Sequence, residues 1–298
     1  MKLRLVWLLA SGLMVFPLLA APARAENILL SDLSSFAVLG ATAVTNVPTS
    51  TVVGNVGVAP GSSITRFNST PGVAVADPQV TRGMVHATTA VAARAQQQLT
   101  IARNQLALFG PGTLLGADLA GLTLRGGVYT VPAGVSNLTG RLTLDGQGNA
   151  NARWVFQMPS TFITSPGSVV NVIGTGSGAG LFWNVGSSAT LDTTTSFQGN
   201  ILALTSISLN TGATIGCGRA LANTGAVTMD MNTVSIGCAG IGQGTNGFAG
   251  GPIIPTDGGN PSPVPEPTTW LLSSLAIAGV IARARMNRAA GVPAGTTS

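Results

Sequence analysis

Ala189-Thr190-Leu191-Asp192, Ile207-Ser208-Leu209-Asn210 and Val227-Thr228-Met229-Asp230 are one pattern written three times, at spacings of 18 and 20 residues. Each copy sits between two further short runs. Phe182-Trp183-Asn184-Val185 and Ser196-Phe197 flank the first, Leu202-Ala203-Leu204 and Ala213-Thr214-Ile215 the second, Leu221-Ala222-Asn223 and Thr233-Val234-Ser235-Ile236 the third. Three short β-branched runs per unit at a near-constant period predict a triangular β-helix. One coil cannot bury its own apolar side, but stacked coils make a continuous core. The columns agree: Leu191, Leu209 and Met229 read as inward residues, Thr190, Ser208 and Thr228 as an outward column, and Asp192, Asn210 and Asp230 as the following turn. A β-sandwich or jelly roll would not need this constant period. Only about three coils repeat clearly, which argues for a compact body rather than a long stalk.

Working upstream, Leu122–Leu124, Leu142–Leu144, Phe162–Thr164 and Val169–Val172 read as less regular coils. The Val-rich stretch from Phe36 to Ile64 is a candidate for further coils completed by the later chain. Between them lies the single long helical candidate, at about residues 76–109. Met84, Thr88, Val91, Ala95, Leu99, Ala102 and Leu106 recur three or four apart among good helix formers, and Gly110-Pro111-Gly112 ends the run. Such a helix can lie along the side of the solenoid. The fold class is therefore mainly β: an irregular, discontinuous triangular β-helix with one long α-helix packed alongside.

The composition fits this. Hydrophobic residues make up 45% of the 298-residue chain and charged residues only 8%; Gly contributes 40 residues, and Lys2 is the one lysine. The surface is covered by Ser, Thr, Asn and backbone. The net charge of +5 belongs to the ends. Between Glu26 and Asn260, eight Arg (66, 82, 94, 103, 125, 141, 153, 219) balance eight acids (26, 32, 77, 118, 145, 192, 230, 257). No basic stripe remains for nucleic acid.

Both ends read as processing segments. Residues 1–25 carry Lys2 and Arg4, an apolar run from Leu5 to Ala20, and Ala23-Arg24-Ala25, a site of the type signal peptidase accepts. The alternative is a membrane anchor, against which Pro17 and Pro22 weigh. The body spans 26–240, a Gly/Pro-rich linker 241–267, and an apolar segment with an arginine tail 268–298. Trp270 to Ile281 is short for a membrane span, and Arg283, Arg285 and Arg288 follow it. The motif Val264-Pro265-Glu266-Pro267, the apolar run and the arginines resemble the PEP-CTERM sorting tail of exported Gram-negative proteins. That resemblance implies an exosortase-type protease, transient membrane contact, and release or attachment at the outer surface. A plain membrane tether is the alternative.

Cys217 and Cys238 each follow an Ile-Gly pair, 21 residues apart, in equivalent places of consecutive coils. In an oxidising compartment a disulfide is the favoured reading; two free buried thiols are the alternative. A redox pair lacks C-x-x-C, and a zinc site lacks ligands. His86, the one histidine, has no nucleophile or acid paired with it by spacing, and the Gly-rich runs 174–180 and 240–247 lack a Walker lysine. Asp145, Asp192 and Asp230 read as turn residues rather than glycosidase carboxylates. The chain is read as a monomer that is not an enzyme and needs no cofactor.

The stretches Ser35–Gly40, Gly54–Gly61, Gly126–Tyr129, Trp154–Gln157, Leu181–Leu191 and Gly199–Ile207, then Asn210–Thr214 and Gly218–Ala222, occur in order with the helix in place. On them, residues 33 to about 238 resemble the ice-binding-like family (DUF3494). The resemblance implies a discontinuous triangular β-helix flanked by a helix, and adsorption to an ice crystal surface that inhibits recrystallisation. Some members carry a loose Thr-Ala/Gly-x-Thr/Asn motif on the ice face. Thr211-Gly212-Ala213-Thr214 matches it in full, Thr193-Thr194-Thr195-Ser196 in its first position, and Met231-Asn232-Thr233 occupies the same turn without matching. The implied ice contacts are thus Thr193, Thr195, Thr211, Thr214, Asn232 and Thr233, with the column Thr190, Ser208 and Thr228 as the alternative. Rival functions are an extracellular surface or biofilm-matrix protein and, less favoured, a carbohydrate-active β-helix enzyme.

Overall fold

The computed structural model describes residues 28–132, 134–238 and 246–250. The leader, the apolar segment, the arginine tail and the sorting motif Pro265, Glu266, Pro267 lie outside the described residues.

Strands wind into a three-faced parallel β-helix. One face is a separate seven-stranded sheet. Its spatial order is Ser136–Leu138, Phe162–Thr164, Ala189–Leu191, Ile207–Leu209, Val227–Asp230, Ala43–Val47 and Ser63–Thr65. The other two faces share one sheet, because the strands Ser196–Ala203 and Thr214–Ala222 bend across the corner between them. The bend needs glycine. Gly199 and Gly218 are paired across it, Gly199 has φ +96°, and a Cβ on Gly218 would lie 1.9 Å from the Gly199 carbonyl oxygen.

The winding is discontinuous. Val38 pairs with Ala220, Val44 with Val227 and Val52 with Val234, so the coil made by residues 36–53 stacks on the last coil of the later chain. Residues 55–87 add strands beyond it. The chain then has to return to the far end before it can wind back. The helix Ala90–Ala107 makes that return. Its 18 residues span about 27 Å at 1.5 Å per residue, or between five and six coils at about 4.8 Å each. Ala92, Ala95, Leu99, Ala102 and Leu106 are all fully buried, against Leu39, Val155, Phe182, Leu202 and Leu221 of the helix face. The Thr89 hydroxyl caps the helix by accepting from the Ala92 N–H at 3.2 Å.

The helix is shorter than the sequence spacing predicts. Met84 and Thr88 fit the periodicity but stand outside it. Val80–Thr81 and Val85–Ala87 are strands that continue two faces. Gly72, Pro78 and Gly83 with β-branched Val73, Val75, Val80 and Val85 are poor helix material, and pairing with a preformed coil edge decides the outcome. Within 241–267, read as linker from the sequence, only residues 246–250 are described. Residues 246–250 run antiparallel beside Gly180, and Phe248 is fully buried in the core.

Inside, position-equivalent residues stack. Tyr129, Phe156 and Trp183 form a ladder with ring centroids 5.5 and 4.1 Å apart, extended sideways by Phe162 and Phe197. The same column continues through Ile201, Ala220, Val38, Val56 and Val85, so it narrows from aromatic to aliphatic along the axis. Leu191, Leu209 and Met229 are buried. Cys217 and Cys238 are joined in a disulfide with Cα atoms 4.8 Å apart.

Candidate functional site

Among the described residues the helix covers one face and leaves the other two open. On the seven-stranded face the pleat sends alternate residues outward, and the register sets which ones align. Thr190 pairs with Ser208, Ser208 with Thr228, Thr228 with Thr45, and Thr45 with Thr65. At the other end Ile163 and then Asn137 continue the column. Seven residues at about 4.8 Å per strand make a row about 29 Å long. It contains five consecutive hydroxyls and no charge. All seven are exposed or half-buried. The row's middle three, Thr190, Ser208 and Thr228, are the outward column expected from the sequence. Thr45 and Thr65 were hidden because their strands precede the helix by sequence; the Ala43-Val44-Thr45 alternation was the available signal.

A second row runs beside the first, at the turn. The Asn210 amide donates to Asp192 Oδ1 at 2.9 Å, the Thr193 N–H donates to the same oxygen at 2.7 Å, and the Thr211 hydroxyl donates to Asp230. The Asn210 and Thr193 bonds hold the Asp192 carboxyl below the ordinary carboxylate range. Between the two rows lies an open trough of about 470 Å³ that Val47, Thr193, Ser208, Thr211 and Thr228 help to line.

The third face carries a shorter hydroxyl row. Ser196, Thr214, Thr233 and Thr51 are in register. Outward Val169 and Arg141 interrupt it beyond Ser196, and the strands slip register between Phe197 and Gln198.

These placements sort the sequence candidates. Thr193, Thr211, Thr214 and Thr233 reach the surface at the turn or on the third face. Thr195 and Asn232 do not: they are 0% and 1% exposed. The Thr195 hydroxyl shares a hydrogen bond with Thr164 at 2.8 Å, and the Asn232 amide donates to the Asn210 and Ala213 carbonyls at 2.8 and 3.0 Å. Asn232 serves corner backbone and Thr195 a buried hydroxyl, and neither side chain is exposed to a surface ligand.

Elsewhere the titratable groups are dispersed. Among the described residues no three His, Cys, Asp or Glu come together. His86 is buried beside Phe36, with Nδ1 3.1 Å from the Thr89 hydroxyl, and burial lowers its pKa. Among the described residues no helix is long and apolar enough to cross a membrane.

The model of the ice-binding-like family matches residues 38–235. An ice-binding protein of Nostoc sp. is 43% identical over 240 residues, which cover 80% of this chain and 85% of that one. A crystal structure of an ice-binding protein from an Antarctic biological consortium superposes with a TM-score of 0.63 at 35% identity, covering 74% of this chain and 95% of that one. An ice-binding protein from an Arctic yeast, whose structure is described as the basis of antifreeze activity, gives 0.63 at 26% identity, with 70% and 95% covered.

Proposed function

This chain belongs to the ice-binding-like family, and from that premise we propose that it adsorbs to ice through its seven-stranded face and so inhibits recrystallisation. The observation that carries this is the register: five hydroxyl residues, Thr190, Ser208, Thr228, Thr45 and Thr65, in one uncharged row on a parallel sheet that the described residues leave open. Ladder pairing fixes the spacing, so little side-chain freedom is lost on contact. Thr offers a methyl and a hydroxyl together; water held against such a row bridges protein and crystal at about 0–2 kcal/mol of ordering cost per molecule. The trough beside Thr193 and Thr211 gives that water a second rank of partners.

The third face, with Ser196, Thr214, Thr233 and Thr51, is the second reading, favoured by its own register. Two variants separate them. Ser208→Tyr puts a ring in the middle of the first row and Thr233→Tyr in the second. With purified protein at micromolar concentration in a recrystallisation assay, the parent and Thr233→Tyr should restrain grain growth and Ser208→Tyr should not. The reverse pattern moves the site to the third face; a parent without effect sinks the proposal.

The same reading makes the protein a non-enzymatic monomer, exported through residues 1–25. The motif Pro265-Glu266-Pro267 and the arginine tail then direct it to an exosortase-type protease at a Gram-negative outer surface. Mass spectrometry of the secreted product tests this, since it should begin near Glu26 and lack the arginine tail. The tail also favours a surface or matrix role, which is compatible with ice adsorption.

A further inference from the structure

Successive coils turn the corner between the third face and the helix face differently. One crosses it with Arg125 and Gly126 alone, between the strands Thr123–Leu124 and Gly127–Thr130. The next uses a seven-residue loop, 146–152, between Arg141–Asp145 and Arg153–Met158. The long loop overhangs the short corner, and the step between them is a polar cleft of about 550 Å³.

The cleft is built in advance. The Gln147 N–H donates to Asp145 Oδ1 at 2.8 Å and the Asn151 N–H to Asn149 Oδ1 at 2.9 Å. Gly148 donates to the Gly174 carbonyl at 2.8 Å, and the Thr175 hydroxyl to the Asn149 carbonyl at 3.2 Å, so the next corner loop braces this one. Across the step, the Tyr129 hydroxyl fixes the Arg125 carbonyl at 2.6 Å.

Arg125 and Arg153 line this cleft, and Nη2 of Arg153 lies near Gly250 at its edge. Among the described residues neither Arg125 nor Arg153 has a side-chain hydrogen bond or an ion pair; the one ion pair there is Arg94–Asp32. Arg153 is half-buried between strands that place Gly126 and Gly180 beside it, and burial lowers its pKa. A partly desolvated cation without an acceptor is a standing cost that an oxyanion would remove. The Asp145 carboxylate and the amides of Gln147 and Asn149 share the cleft, so a ligand that carries hydroxyl groups beside its anion meets more of the lining than a bare inorganic anion does.

We propose that this cleft binds an acidic saccharide, with its carboxylate on Arg125 and Arg153 and its hydroxyls on Asp145, Gln147 and Asn149. The ligand is held by charge and hydrogen bonds, with no aromatic platform. The corner lies opposite the seven-stranded face in the triangular section, so a protein held in an acidic polysaccharide keeps that face free.

Titration calorimetry of the full chain tests this with glucuronate, a short oligoglucuronate, glucose and sulfate. Glucuronate should bind in a salt-sensitive way and glucose should not. Arg153→Gln and the more exposed Arg125→Gln should each weaken glucuronate by about tenfold or more, as loss of a charge-assisted bond requires, with melting temperature and ice activity kept. Tighter binding of the oligomer identifies a polymer chain as the source; equal binding identifies a free sugar acid, and either supports the saccharide site. No glucuronate binding, equal binding of glucose or sulfate, or undiminished binding by both variants overturns it. Ice activity is read separately, so its loss in the parent would not be mistaken for failure of this site.

Discussion

Replacing Arg219 by Met should cost about 3–5 kcal/mol, as the balance between the hydrogen bonds lost to a charged donor and the desolvation the guanidinium no longer carries. The guanidinium is fully buried. Its Nε and Nη2 donate to the Ser34 carbonyl at 3.2 and 2.6 Å, Nη1 to Asn200 Oδ1 at 2.7 Å and the Gly247 carbonyl at 3.1 Å, and Nη2 to the Asn246 carbonyl at 2.9 Å. One side chain therefore ties the short helix Ser31–Ser34 and the strap 246–250 to the helix face. Burial pushes its pKa down to about 9, so it is still charged at pH 7. Without it two buried acceptors, Asn200 Oδ1 and the Gly247 carbonyl, lose their donor at about 1–3 kcal/mol each, and the more accessible Ser34 and Asn246 carbonyls lose theirs at less. Relief of the guanidinium's own desolvation, several kcal/mol, offsets part of that. At about 2–4 °C per kcal/mol for a domain of this size, the melting temperature should fall by about 10 °C. The strap should loosen first. The Leu181 N–H, which donates to the Phe248 carbonyl, and the Gly250 N–H, which donates to Ala179, should then exchange faster by hydrogen–deuterium measurement. Lys at this position keeps the charge but not the fork and should fall between. A melt within about 2 °C of the parent with unchanged exchange would refute the reasoning, because desolvation would then cancel every bond the arginine makes.

Reduction of Cys217–Cys238 should remove about 3 kcal/mol for a loop of 21 residues, read as a lower melting temperature in reductant; an unchanged melt would mean the strap alone holds that end. Thr195→Val should cost about 1 kcal/mol through its bond to Thr164 yet leave ice adsorption intact, by denaturant unfolding and recrystallisation assays in parallel; lost adsorption at parental stability would put Thr195 at the surface after all. His86 titrates with a lowered pKa in the fold, so its contribution is complete above the ordinary value near 6.5 and is lost as pH falls below it. Urea midpoints should drop between pH 8 and 5, less so in His86→Gln, and equal slopes would exclude His86 as the cause.

The later half of the chain was legible because neighbouring coils are neighbours in sequence. Leu191, Leu209 and Met229 repeat at a fixed spacing, and the fold they imply is the one observed. The coils of residues 36–87 were harder. Thr45 stands beside Thr228 across a sequence gap of well over a hundred residues, and no local period announces that pairing. The helix start was misplaced because Met84 and Thr88 fall on the helical spacing by coincidence, while the strand edge that captures Val85 exists only once Val56 is in place. Site residues failed in one direction. A motif match at the turn could not tell Thr211, which faces out, from Thr195 and Asn232, whose side chains satisfy buried backbone. Polar residues at solenoid corners serve either purpose, and only the direction of the side chain decides. Phe248 shows the same limit: it lies in a Gly-rich stretch that reads as linker by composition, yet its side chain is fully buried.

Direct observation of labelled protein on a single growing ice crystal tests the central claim. The parent should accumulate on the crystal, and Thr228→Tyr, folded to the same melting temperature, should not. A parent that stays in the liquid, or a Thr228→Tyr variant that accumulates equally, would contradict adsorption through the seven-stranded face.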